Sequence, residues 1–132
     1  MRRVGIVLAV GLVALASCGS PTAKQAGEHF RAAQSIKIVA LPADKLLATV
    51  SNPEDLAALA EAVSMGQQQA PCKCKLTLRL VLIYPDGSTG RAYVDLHRED
   101  RKIHRGWVHC DGIGPVFPAP LFWDIMDRYV KP

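Results

Sequence analysis

The residues best suited to chemistry are cysteines and histidines in two short segments. Cys72-Lys73-Cys74 places two thiols on the same side of an extended chain, because side chains alternate along a strand. His109-Cys110 adds an imidazole and a further thiol. Soft sulfur and nitrogen ligands of this kind suit Cu(I) or zinc. One hypothesis is therefore a metal- or thiol-handling site that uses Cys72, Cys74, Cys110 and His109.

Two features count against the metal hypothesis. A single Cys-x-Cys pair lacks the second paired element of most zinc sites, and His109 points away from Cys110 if both lie on one strand. A Cys-x-x-Cys redox motif is absent from the sequence. We therefore expect no metal ion, and we keep the metal site as the alternative hypothesis.

A second group of residues projects from one face of the predicted strands. It combines guanidinium, aromatic and polar groups, which is the mixture that a protein- or glycan-binding face uses. The alternative interpretation is a solvated face on which Arg79 and Asp95 form an exposed cross-strand pair. The binding-face candidates are Arg79, Tyr93, Asp95, His97 and Trp107, and Thr77 and Arg105 share their face.

Catalytic motifs are absent from the sequence. It contains no Gly-x-Ser-x-Gly elbow, no phosphate-binding loop and no His-Glu-x-x-His pattern. Gly112-x-Gly114 lacks the third glycine and the strand-to-helix setting of a dinucleotide loop. We therefore predict that the protein is not an enzyme and carries no dissociable cofactor.

The N-terminus has the order of a secretory signal. Met1-Arg2-Arg3 is a positive segment, and residues 4–16 form an apolar stretch that is too short for a membrane-spanning helix of about 20 residues. Leu15-Ala16-Ser17-Cys18 then resembles the lipobox of bacterial lipoproteins. That resemblance implies cleavage after Ser17 and diacylglyceryl transfer to the Cys18 thiol.

The lipobox resemblance implies an address in the cell envelope. The lipid on Cys18 would hold the protein on a membrane, because two or three acyl chains give durable attachment. Gly19 in place of an aspartate favours the periplasmic side of the outer membrane in a diderm cell, and otherwise the outer face of the cell membrane. The loss of Arg2 and Arg3 with the signal lowers the formal charge from +4 to about +2, which argues against nucleic acid as a partner.

Assigning Cys18 to the lipid leaves an odd number of cysteines in an oxidising compartment. We predict one disulfide, between Cys110 and either Cys72 or Cys74. In a plain meander these positions lie at opposite ends of the sheet, beyond the reach of about 7 Å between Cα atoms. The bond therefore requires residues 102–106 to form an extended turn ahead of a short last strand. A bond between Cys72 and Cys74, or no bond, remains open.

The remaining pattern predicts the elements of a single α+β domain. Residues 1–17 are assigned to the signal peptide, 18–34 to a lipid-anchored tether, and 35–132 to the domain. Asn52 and Pro53 begin the clearest helix, which ends before Gly66. Strands are predicted over 35–41, 72–82, 91–97 and 102–110, with a shorter segment over 45–50 pairing back on the first strand, and a final helix is predicted over 121–130.

The order of these elements predicts a small antiparallel sheet of about four strands, with a meander in the second half and two helices packed on one face. A membrane-anchored domain without catalytic motifs favours a binding or structural interaction module. We expect its partner to be an envelope protein or a glycan.

Overall fold

The computed structural model describes residues 20–68, 76–99 and 102–130, without the side chains of residues 96–99 and 102–105. Over these ranges the protein is an α+β domain with three helices and one antiparallel sheet of seven strands, so the predicted class is confirmed. The elements are α1 (Pro21–Ala32), β1 (Ser35–Ala40), β2 (Lys45–Val50), α2 (Pro53–Ser64), β3 (Gln67–Gln68), β4 (Leu78–Ile83), β5 (Thr89–Glu99), β6 (Lys102–Cys110), β7 (Gly114–Phe117) and α3 (Leu121–Tyr129).

The strands lie side by side in the order β2-β1-β4-β5-β6-β7-β3. The predicted meander is present as β4, β5 and β6, with the Pro85–Ser88 turn region between its first two strands. The prediction of about four strands is too low. Strands β3 and β7 are two and four residues long, and segments this short carry no readable alternation.

The helix predicted after Asn52 is confirmed as α2. The Asn52 Oδ1 atom accepts hydrogen bonds from the backbone N–H groups of Glu54 (2.8 Å) and Asp55 (3.2 Å). These bonds satisfy two of the donors that a helix start leaves free. The apolar stripe of α2 is buried, and it comprises Leu56, Leu59, Ala60, Ala62 and Val63.

Helix α1 occupies most of the segment that we predicted to be a tether. The Ser20 side chain caps it by accepting from the N–H of Ala23, and Pro21 is its first residue. Ala23, Ala26 and Phe30 of α1 are fully buried. Residues 21–32 are therefore part of the packed domain, while residues 18 and 19 lie outside the part that the structure describes.

All three helices contribute to one core on one face of the sheet. Their buried side chains cluster with inward residues of the central strands, among them Leu80, Ala92, Val94 and Val108. Helix α3 approaches β6 closely because β6 has a glycine at the point of contact. A Cβ on Gly106 would lie 2.6 Å from the Trp123 ring of α3. The predicted packing of helices on one face is thus observed, with α1 as a third helix.

Candidate binding face

The face of the sheet opposite the core carries several of the residues predicted to bind a partner. We call it the open face. Its residues are identified from the strand register, because residues directly opposite one another on neighbouring strands point to the same side of the sheet. Antiparallel partners share a face, and neighbouring strands lie about 4.8 Å apart. One such row spans six strands, about 24 Å, and comprises Leu46, Val39, Arg79, Tyr93, His109 and Pro115.

Tyr93 lies at the centre of this row. Its direct neighbours are Arg79 on β4 and His109 on β6. Tyr93 and Arg79 are half-buried and His109 is exposed. Two of the five candidates, Arg79 and Tyr93, therefore meet on the open face as the alternation predicted.

Arg79 has a different acidic partner from the one predicted. Its guanidinium donates to the carboxylate of Asp44, in the turn between β1 and β2. Asp95 lies diagonal to Arg79, a position that a cross-strand pair allows, but it is only 3% exposed. The prediction that this pair is exposed to solvent is therefore wrong. Asp44 adopts φ 59°, a left-handed turn conformation that strand alternation does not reveal.

Trp107 and Asp95 face each other across β5 and β6. Trp107 is half-buried, and its ring centroid lies 5.7 Å from that of Phe117 on β7. The backbone of His97 pairs with that of Arg105 in the same ladder, and the side chains of both residues lie outside the described part of the structure.

A second row of the open face is basic. Lys37 on β1 and Arg91 on β5 flank Val81 on β4, so the two cations lie about 10 Å apart across two strand spacings. Both side chains are exposed, and the described residues place no carboxylate within ion-pair distance of either one. With His109 in the neighbouring row, this part of the open face is suited to an acidic partner.

Cys110 lies on the opposite, core face. Cys110 forms no disulfide with the residues that the structure describes, it is 2% exposed, and burial raises its pKa from 9.0 to about 12. His109 next to it is exposed on the open face, so the two side chains do not converge on one ion. The described residues contain no group of three potential metal ligands, and the other proposed ligands, Cys72 and Cys74, fall outside them, as does Cys18.

The disulfide prediction relied on a short last strand, which the structure contradicts. Strand β6 pairs with β5 from Lys102 to Cys110. The register of this pairing shifts once, after His97, and the hydrogen-bonded ladder continues on both sides of the shift. Residues 102–106 are therefore strand, and the pairing of Cys110 with Cys72 or Cys74 stays a prediction without a described contact to support it.

Sequence reasoning missed a cavity of about 320 Å³ between α1 and one end of the sheet. The His29 Nδ1 atom lies 3.3 Å from the Tyr84 hydroxyl at its rim, and Cys110 contributes to its wall. Burial, with a smaller contribution from Cys110, raises the pKa of Tyr84. Both the phenol and the thiol therefore keep their protons at neutral pH, so neither is a ready nucleophile.

A shallow apolar groove was also missed, because its walls are distant in sequence. It has a volume of about 530 Å³ and lies where β3 pairs with β7. Its lining residues are Met65, Gly66, Gln67, Phe117, Pro118, Ala119 and Pro120. The unusual run Phe117-Pro118-Ala119-Pro120-Leu121 is the one signal in the sequence that could have pointed to it.

Comparisons with known proteins give no relative: no family model, no curated protein and no solved structure matches this chain. None of the helices in the described ranges has the length and apolarity needed to cross a bilayer.

Proposed function

We propose that this protein is a lipid-anchored module of the bacterial cell envelope that binds an acidic protein partner through its open face. The observation that carries the proposal is the row centred on Tyr93, next to two exposed cations that lack a described acidic partner. Aromatic and arginine side chains are enriched at protein interfaces. Anchoring through Cys18 rests on the lipobox resemblance, and it would place the module on the periplasmic side of the outer membrane in a diderm cell.

The composition of the open face favours a protein over a small substrate. The row through Tyr93 is about 24 Å long, a length that suits an extended protein surface. Lys37, Arg91 and His109 would steer a carboxylate-rich surface towards Tyr93, because complementary charge raises the rate of encounter. The half-buried Val81, between Lys37 and Arg91, supplies apolar area between these charges.

Site-specific photocrosslinking in intact cells tests this proposal. A photoreactive phenylalanine analogue would replace Tyr93 or Val81 on the open face, and Gln25, exposed on α1, would serve as the control. We expect one discrete adduct at positions 93 and 81 and none at position 25.

Charge reversal provides the matching specificity control. The double variant Lys37→Glu/Arg91→Glu keeps Tyr93 but repels an acidic partner, so the adduct at Val81 should fall by about tenfold or more. An adduct that forms equally at position 25, or that survives the charge reversal unchanged, would refute binding of an acidic partner at this face.

A further inference from the structure

We propose that the apolar groove between β3 and β7 rests on the bilayer that holds the lipid anchor. This inference depends on the proposed lipidation of Cys18. It adds an orientation for the domain. The β3 edge of the sheet contacts the bilayer, and the open face is directed sideways, towards neighbouring envelope proteins.

The described chain enters the fold beside the groove. The Ser20 N–H donates to the Gly66 carbonyl oxygen (3.3 Å), and the Ser20 side chain caps α1. Cys18 precedes Ser20 by two residues, which span at most about 7 Å when extended. Any lipid on Cys18 must therefore leave the protein close to Gly66, one of the residues that line the groove.

Exposed apolar side chains lie at the same place. Met65 is 51% exposed at one side of the groove, and Leu121 is 48% exposed just beyond its other side. The apolar residues 117–120, Phe-Pro-Ala-Pro, lie between Met65 and Leu121. Exposed apolar patches in soluble domains mark interaction sites, and an apolar surface beside acyl chains can enter the boundary between headgroups and chains.

Backbone packing gives the groove its shape. A Cβ on Gly66 would lie 2.5 Å from the Phe117 carbonyl oxygen, so only glycine allows β3 to approach β7 this closely. The half-buried Trp107 contacts Phe117 from the open face. Tryptophan is enriched at membrane–water interfaces, so its place beside the groove fits the same orientation.

The orientation leaves the open face accessible. Strands β3 and β2 form the two edges of the sheet, about 29 Å apart across six strand spacings. If the β3 edge contacts the bilayer, then Leu46 and Leu47 on β2 lie far from it. Leu47, which is 40% exposed, is therefore a matched control for Leu121.

Fluorescence quenching by brominated lipid tests the inference. Lipidated protein carrying Trp107→Phe/Leu121→Trp or Trp107→Phe/Leu47→Trp would be extracted in detergent and reconstituted into phosphatidylcholine vesicles brominated near the glycerol end of the acyl chains. The buried Trp123 gives the same background in both variants. We expect the tryptophan at position 121 to lose roughly half of its emission and the one at position 47 to be unchanged.

Vesicle flotation separates failure of this inference from failure of the anchor. Protein that floats with vesicles, whereas its Cys18→Ser form does not, is anchored as proposed. If such anchored protein shows equal quenching at positions 121 and 47, or none at 121, the orientation is wrong and the anchor stands. If the protein does not float, the anchor and the orientation are both wrong.

Discussion

The reactivity of the Cys110 thiol depends on which face of the sheet the residue lies on. On the core face its thiol is 2% exposed, whereas the adjacent His109 side chain is in solvent. The alternation that separates them follows from the strand itself. Burial disfavours the thiolate and raises the Cys110 pKa to about 12, so the thiol stays protonated and unreactive at neutral pH.

This raised pKa predicts a loss of stability in alkali. Between about pH 9 and pH 12 the unfolded thiol ionises while the buried thiol keeps its proton, so rising pH favours unfolding by about 1.4 kcal/mol per pH unit. Below pH 9 the contribution of Cys110 is complete. Urea titrations under reducing conditions should therefore show a steeper alkaline loss of the free energy of unfolding in the native protein than in Cys110→Ala.

The comparison of slopes isolates Cys110 from other groups. Tyr84 and Tyr129 also have raised pKa values, and both remain in the Cys110→Ala variant; the smaller part of the Tyr84 shift that Cys110 causes is lost with the thiol and counts with it. The cavity left by the substitution lowers stability at every pH and does not change the slope. Parallel curves for the two proteins between pH 9 and pH 12 would show that the Cys110 thiol is not protected in the folded state.

At the scale of the elements, α1 changes the organisation of the N-terminal region. Its Phe30 ring packs edge-to-face on Phe122 of α3, with ring centroids 6.2 Å apart. A Cβ on Gly27 would lie 2.6 Å from the Ser64 Cβ, so α1 and α2 also approach closely. The first helix is thus as much a part of the core as the two that were predicted.

Truncation of Phe30 tests the place of α1 in the core. Phe30→Ala should lower the free energy of unfolding by about 3–5 kcal/mol, because it removes a fully buried ring from the core. Gln25→Ala, at an exposed position of the same helix, should change it by less than about 0.5 kcal/mol. Chemical denaturation measures the free energy of unfolding of both variants. If residues 18–34 were an unpacked tether, neither substitution would change it.

The sequence predicts some elements well because their signals are local. Helix α2 has a capping asparagine, a proline at its first position and a large apolar stripe, and β4 and β5 alternate clearly. Helix α1 carries the same start signals, Ser20 and Pro21, and its buried residues Ala23, Ala26, Gly27 and Phe30 follow helical spacing. Only Phe30 among them is large and the rest of the helix is polar, so this stripe is weaker than that of α2.

The same limit applies to the candidate sites. Alternation places Arg79 and Tyr93 on one face, since that depends on the strand alone. The bond between Arg79 and Asp44 and the groove joining Met65 to Phe117 depend on which strands are neighbours, and that is a property of the tertiary fold.

At the scale of the whole molecule, the packing of α1 into the domain would bring a lipid-anchored protein close to its membrane. A tether over residues 18–34 would have lifted the fold clear of the headgroups by on the order of 20 Å. With Ser20 already bonded to Gly66, a lipid on Cys18 would hold the β3 edge directly at the bilayer. A partner of the open face must then reach a surface that stands next to the membrane.

The most direct test of this account is the intact mass of the protein extracted from bacterial membranes. We expect a chain that begins at residue 18 and carries the added mass of a diacylglyceryl group, with or without a further acyl chain, on the N-terminal Cys18 peptide. A chain that retains residues 1–17, or one that begins at an unmodified Cys18, would contradict the anchor on which both the binding role and the membrane orientation rest.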